Sequence, residues 1–235
     1  MKRFAALILT GILLLTFAGC GNSGNAPSGS TEESKTLGIA DNNTSASTAS
    51  GGNNSTENTE GGSKMLVAYF SLAGEQYGVG VIEEGNTSII AHMIAEQTGA
   101  DLFEIKAVNP YPTSHSELLD VSRKEMADKA RPAIADTVDN MDDYDTVFIG
   151  YPNWWGDMPM IVYNFLESYD LSGKTIVPFC THGGSGLSGT ERTIKNITGG
   201  TMADGFAIAG TTAQNDRDTA KSKVTEWLRN GGFVE

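Results

Sequence analysis

Thiols, cations and long apolar runs are all scarce in this chain of 235 residues. There are 2 cysteines, Cys20 and Cys180, which is too few for a disulfide framework of the kind that staples small secreted domains. The 3 histidines, His92, His115 and His182, have no Cys, Asp or Glu partners at metal-ligand spacing, and no Ser-His-Asp arrangement is visible. Lys and Arg number 16 against 29 Asp and Glu, for a net charge of −13. So acidic a chain is unsuited to nucleic acid and to direct adhesion on anionic lipid. The longest apolar stretch, Phe4 to Ala18, has 15 residues, whereas a spanning helix needs roughly 17–25. No Lys or Arg stands between Ser71 and Ser88. The lysine-bearing phosphate loop of nucleoside triphosphate hydrolases is therefore absent there.

What is present begins with a leader. Lys2-Arg3, the apolar run and the small residues Ala18-Gly19 have the composition of an export signal, residues 1–19. Phe17-Ala18-Gly19-Cys20 resembles a bacterial lipobox, with Phe17 where Leu is usual. The resemblance implies cleavage before Cys20 and a lipid on its sulfur. Beyond Cys20, 30 of the 44 residues from 21 to 64 are Gly, Ser, Thr or Asn. Such a segment cannot bury enough apolar surface to fold. As a flexible coil it spans roughly 35–40 Å, a passive tether between membrane and domain. Residues 65–235 remain as one domain, with 24 acids against 12 bases.

Within that domain apolar runs of strand length alternate with helical patterns. Strands are expected over Met65–Ser71, Asp101–Lys106, Asp145–Tyr151, Lys174–Thr181 and Gly205–Ala209. Helices are expected over Thr87–Thr98, Ser116–Ala130, Met158–Ser168, Thr190–Ile197 and Asp216–Arg229. Alternation of this kind implies right-handed crossovers and a parallel sheet covered on both faces. The expectation is a three-layer, doubly wound α/β domain of five parallel strands in the order 2-1-3-4-5. Cys180, inside the fourth strand, reads as a small buried hydrophobe.

Three loops follow the first, third and fourth strands, and in that order they converge at the switch point where such sheets bind ligands. The first joins Ser71-Leu72-Ala73-Gly74 to Gly85-Asn86-Thr87-Ser88, where a helix begins. Free backbone N–H groups and the helix dipole suit an anion there, although a plain helix cap would use the same residues. The intervening Glu75 to Glu84, carrying Gln76, Tyr77, Gly78 and Gly80, reads equally as a lid or as an ornament. The second loop, Tyr151-Pro152-Asn153-Trp154-Trp155-Gly156, sets two adjacent indoles at a strand end, and stacking of at least one on a planar ring would explain them. The third, Thr181-His182-Gly183-Gly184-Ser185-Gly186, has little bulk beyond His182, so its backbone can approach a ligand edge. His182 reads either as a ligand contact or as a solvated loop residue; His92 and His115 read as structural or incidental. A ligand with a phosphate at one end and a flat ring at the other fits the set, and flavin mononucleotide (FMN) has that shape.

At these residues the chain resembles the flavodoxin-like proteins, in particular a bacterial subgroup with a Pro-x-Trp-Trp-Gly loop. The resemblance implies a phosphate loop, split by the insert, formed by Ser71, Ala73, Gly85, Asn86 and Thr87. It implies ring contacts from Pro152, Asn153, Trp154, Trp155 and Gly156, and from Thr181, His182, Gly183, Gly184 and Gly186. Ala73 stands where the family more often has a hydroxyl. The function so implied is FMN-dependent electron transfer outside the cytoplasmic membrane. The partner would be a redox protein, one with a basic face suiting the acidic domain, or a small electron donor or acceptor, and membrane contact would run only through the lipid. The alternatives are an FMN-dependent reductase passing hydride from a reduced nicotinamide to a quinone, and a lipoprotein binding a non-redox ligand.

Overall fold

The structure, a computed structural model, describes residues 63–235. The readings of the export signal, of Cys20 and of the tether as far as residue 62 lie outside the described residues.

The chain order is β1 (Met65–Tyr69), β2 (Gly74–Gln76), β3 (Gly80–Ile82), α1 (Asn86–Thr98), β4 (Asp101–Glu104), α2 (His115–Asp128), β5 (Thr146–Pro152), α3 (Met160–Glu167), β6 (Thr175–His182), α4 (Thr190–Thr198), β7 (Thr201–Met202), β8 (Phe206–Ala209), α5 (Gly210–Asn215) and α6 (Arg217–Asn230). The main sheet runs β4-β1-β5-β6, with β7 and β8 both on the far side of β6. Every pairing in it is parallel. This is the doubly wound order 2-1-3-4-5, with the fifth position divided between two short strands. β7 pairs with Thr175 and Ile176 at the start of β6, and β8 with Phe179 to His182 at its end.

Side chains alternate across the sheet, as a two-faced core requires. Leu66, Ala68, Phe70, Val147, Ile149 and Tyr151 pack with Ile161, Val162 and Phe165 of α3 and Ile194 of α4. Val67, Tyr69, Phe148, Val177 and Phe179 pack with Ile90 and Ile94 of α1 and Val224 and Leu228 of α6. β5 and β6 are the central pair, in register from Thr146↔Thr175 to Pro152↔Thr181. Gly150 allows this pair its close packing: an added Cβ would sit 2.1 Å from the Phe179 ring.

Helix α1 follows from its sequence. Ile89, Ile90 and Ile94 share one inward face and are at most 1% exposed, each contributing roughly 1.5–3 kcal/mol by burial. Gly99 ends the helix in the left-handed region at φ 71°, its N–H bonded to the Ala95 carbonyl. Besides the divided fifth strand, two elements depart from expectation. The Glu75–Glu84 insert contains an antiparallel hairpin, β2 with β3, separate from the main sheet. The stretch after β8 forms a short helix, α5, before Asp216 caps α6 by accepting from the Thr219 N–H.

Candidate functional site

The loops after β1, β5 and β6 meet at the carboxyl edge of the sheet around a cleft of about 720 Å3. Of the predicted residues, Asn86, Pro152, Asn153, Trp154, Trp155, Gly156, Thr181, His182 and Gly183 line it. Ser71, Ala73, Gly85, Thr87, Gly184 and Gly186 belong to the same loops but are not among the lining residues. The wall contains no Asp, Glu, Lys or Arg. Among the described residues no group of His, Cys, Asp and Glu could hold a metal ion.

Although ten residues separate them, the two halves of the first loop close up in space. An added Cβ on Gly85 would lie 2.2 Å from Ser71 Oγ and 2.6 Å from the Leu72 carbonyl oxygen. Only glycine fits so close to the strand end. Ser71 Oγ accepts from the Ser88 N–H at 3.0 Å, bracing the start of α1. Since that hydroxyl accepts, its own proton is free to donate. Thr87 and Thr181, both buried, join their hydroxyls at 2.8 Å. One proton lies between the two oxygens, which leaves the pair one further donor. Asn86 Oδ1 is buried without a partner. That oxygen is an acceptor and no partner for an anion; the suitability of this helix start for an anionic group rests on its backbone N–H groups, the neighbouring hydroxyls and the dipole.

The second loop separates its two indoles. Trp154 packs edge-on against Phe70 and Tyr111, at 5.5 and 5.7 Å between ring centroids. Trp155 is 44% exposed and its backbone has φ 58°. With Gly156 at φ 78° and mutual Trp154–Asp157 backbone bonds, these residues form a tight turn with both central φ positive. Such a backbone is uncommon for a bulky residue and throws the Trp155 indole away from the core. From α2, Ser122 Oγ accepts from Trp155 Nε1 at 3.0 Å, and the Arg123 guanidinium lies 4.6 Å from the ring centroid.

Asn153 ties the second loop to the third. Its Nδ2 donates to the Gly186 carbonyl at 2.9 Å and to Ser188 Oγ at 2.8 Å, while its Oδ1 accepts from the Gly156 N–H at 3.0 Å. His182 Nδ1 accepts from the Gly184 N–H at 2.9 Å, so the neutral ring carries its proton on Nε2. Burial pushes the pKa of His182 down. Cys180 is fully buried, and burial pushes its thiol up to about 12, which makes it unreactive.

Sequence reading left the insert open between lid and ornament, and it overlooked the part of the wall that α2 and α5 supply. Gln76 and Tyr77, on the hairpin, line the cleft with His115, Leu118, Leu119 and Ser122 of α2 and Gly210 of α5. Tyr77 lies over Gly183, where an added Cβ would meet its ring at 2.9 Å, and its centroid is 6.3 Å from that of His115. Two bonds anchor the hairpin to the start of α2: Glu75 N–H to the Thr113 carbonyl at 2.8 Å, and His115 N–H to Glu75 Oε2 at 3.0 Å. The insert is thus a built roof. The only signal for it in the sequence was the pair of glycines flanking Val79.

A parallel sheet in this order, with an uncharged cleft at its switch point, one anion-suited helix end and an aromatic turn, defines a nucleotide-type binding protein of doubly wound fold. The family model described as Flavodoxin matches residues 64–230, and the chain belongs to that family. A protein from Bacteroides eggerthii described as a flavoprotein is 32% identical over 73% of this chain and 99% of its own, with a TM-score of 0.58. A counterpart from Bacteroides uniformis is 31% identical over 70% of this chain and 99% of its own, at a TM-score of 0.56. A flavoprotein from Lactobacillus acidophilus, solved in complex with FMN, shares the fold at 20% identity and a TM-score of 0.51, over 71% of this chain and 99% of its own. No curated protein matches the chain.

Proposed function

We propose that this protein binds FMN and transfers electrons from a position tethered outside the cytoplasmic membrane. The observation that carries the reading is the meeting of three strand-end loops at one uncharged cleft, with neutral donors at one side and Trp155 at the other. Family membership and the FMN held by the Lactobacillus acidophilus flavoprotein support the choice of cofactor.

The N–H groups of Asn86 and Thr87, the Ser71 hydroxyl and the Asn86 amide would hold the phosphate. Their lack of a cation means that dipoles carry the charge. Trp155, the Pro152–Gly156 turn and the backbone of Thr181 to Gly184 would hold the ring. FMN supplies the redox chemistry, taking up or releasing one or two electrons. The protein contributes orientation, a roof that limits water, and a negative domain that disfavours added electrons. The lipobox-like segment and the polar stretch to residue 64 support the tether.

The test is the visible spectrum of the purified protein after mixing with FMN and dialysis. Retained flavin bands, weakened in Trp155→Ala, are expected. A protein that leaves dialysis colourless refutes the cofactor assignment and the electron-transfer role with it.

A further inference from the structure

The cleft has more wall than the three cofactor loops supply. Its other side is built from Tyr77 on the hairpin and from His115, Leu118 and Leu119 on the first turns of α2. Leu118 is buried, Leu119 half-buried and Tyr77 exposed. This side is largely apolar and aromatic; its polar groups are the His115 ring, Gln76 and the Ser122 hydroxyl, the last already engaged by Trp155 Nε1. His115 Nδ1 is buried yet has no hydrogen-bond partner. Buried polar atoms are seldom left so, because an unmade bond is costly. The same absence means that turning the ring to present Nδ1 to the cleft breaks no bond within the protein.

We infer that Tyr77, His115, Leu118 and Leu119 form a subsite for a small planar quinone, the electron acceptor of this protein. This deepens the proposed function and rests on FMN occupying the neighbouring loops. The chemistry selects the ligand class. A quinone is flat and apolar, so it suits a wall made of Tyr77 and the two leucines. Its only polar atoms are carbonyl oxygens, which accept, and an imidazole N–H at position 115 donates. The wall bears no carboxylate or cation, so it offers an anionic or cationic acceptor no counter-charge. In the step itself, the quinone takes two electrons and two protons, both supplied in overall stoichiometry by the reduced cofactor, with no net proton drawn from water. Both quinone oxygens become hydroxyls, and the cofactor returns oxidised. A reduced nicotinamide or a reduced carrier protein must then resupply the electrons.

The test uses the full chain loaded with FMN and duroquinone as probe, since its fully substituted ring cannot add a thiol. Binding to the oxidised protein is read by equilibrium dialysis, and FMN retention by the visible spectrum. Saturable binding is expected, weakened about tenfold in His115→Leu, the loss of one buried hydrogen bond. His115→Asn, which keeps a donor, should restore most of it, and Leu119→Glu should abolish it. FMN retention should be equal in all three variants. Retained FMN without saturable duroquinone binding, or binding indifferent to His115 and Leu119, overturns the subsite and leaves the proposed function standing. A protein that holds no FMN overturns both.

Discussion

Thr87, at the start of α1, and Thr181, at the end of β6, share a buried hydrogen bond of 2.8 Å between side-chain oxygens. They are separated by 94 positions in sequence, and the bond fastens the phosphate-side loop to the ring-side loop. Thr181→Val removes one partner while keeping the shape, which leaves the Thr87 hydroxyl buried and unpaired. The expected loss is about 1–3 kcal/mol in chemical denaturation of the cofactor-free protein. The double variant Thr87→Val with Thr181→Val should recover much of that loss, since two apolar groups of equal shape can replace a bonded pair. Additive losses would show that the pair is not coupled.

Trp155 occupies a left-handed backbone position and is 44% exposed. Its replacement by Ala should therefore disturb the fold little, because no core contact depends on it. Its loss as a stacking surface should cost about tenfold in FMN affinity, measured by fluorescence titration. Trp154→Ala should behave in the opposite sense, lowering thermal stability through the lost packing on Phe70 and Tyr111. If the two variants exchange these effects, the division of labour in the turn is wrong.

His182 predicts a pH dependence. Burial lowers its pKa in the folded state, so the fold favours the neutral ring. The stability it contributes is complete above the unfolded value near 6.5 and is lost as pH falls from there through the folded value. Protonation also removes the acceptor for the Gly184 N–H. Melting temperatures should fall more steeply below about pH 6.5 in the native protein than in His182→Asn, whose side chain accepts without titrating. Parallel profiles for the two proteins would remove His182 as the cause.

The domain from residue 65 carries 24 acids and 12 bases, and its cleft wall has no cation. Adding negative charge to a bound flavin in that field is disfavoured. Spectroelectrochemistry should place the second reduction of bound FMN below that of free FMN, with the gap narrowing as salt screens the field. A midpoint at or above the free value counts against this account.

The tether makes a prediction outside the described residues. The native protein should incorporate labelled palmitate and run at the mass of a chain cut before Cys20, and Cys20→Ser should incorporate none and keep its leader. Equal labelling of the two would leave Cys20 without a lipid.

Much of the architecture can be read from the chain. Stretches such as Val147–Tyr151 and Ile176–Cys180 carry no polar residue other than the Tyr151 hydroxyl, as suits a strand covered on both faces. Glycines and caps between the runs separate the elements. The weaker elements are not legible. Gly74–Gln76 and Gly80–Ile82 are short, half polar and exposed, so no burial pattern marks them as a hairpin. Gly210–Asn215 has too few residues to display a helical period. The fifth strand breaks because β7 and β8 follow different stretches of β6, which no local pattern records.

The sequence alone determined the strand order and which three loops reach the switch point, because burial periodicity and short right-handed crossovers leave few alternatives. It also determined the chemistry of those loops: neutral donors in one, indoles in the second, bare backbone in the third. Only the tertiary structure decided that Ser71 and Gly85 touch across the insert, that Trp154 turns inward while Trp155 turns out, and that His115 and Tyr77 stand over the cleft. These are contacts between residues far apart in sequence or choices of backbone dihedral. Packing settles both, and the order of residue types carries no local trace of either.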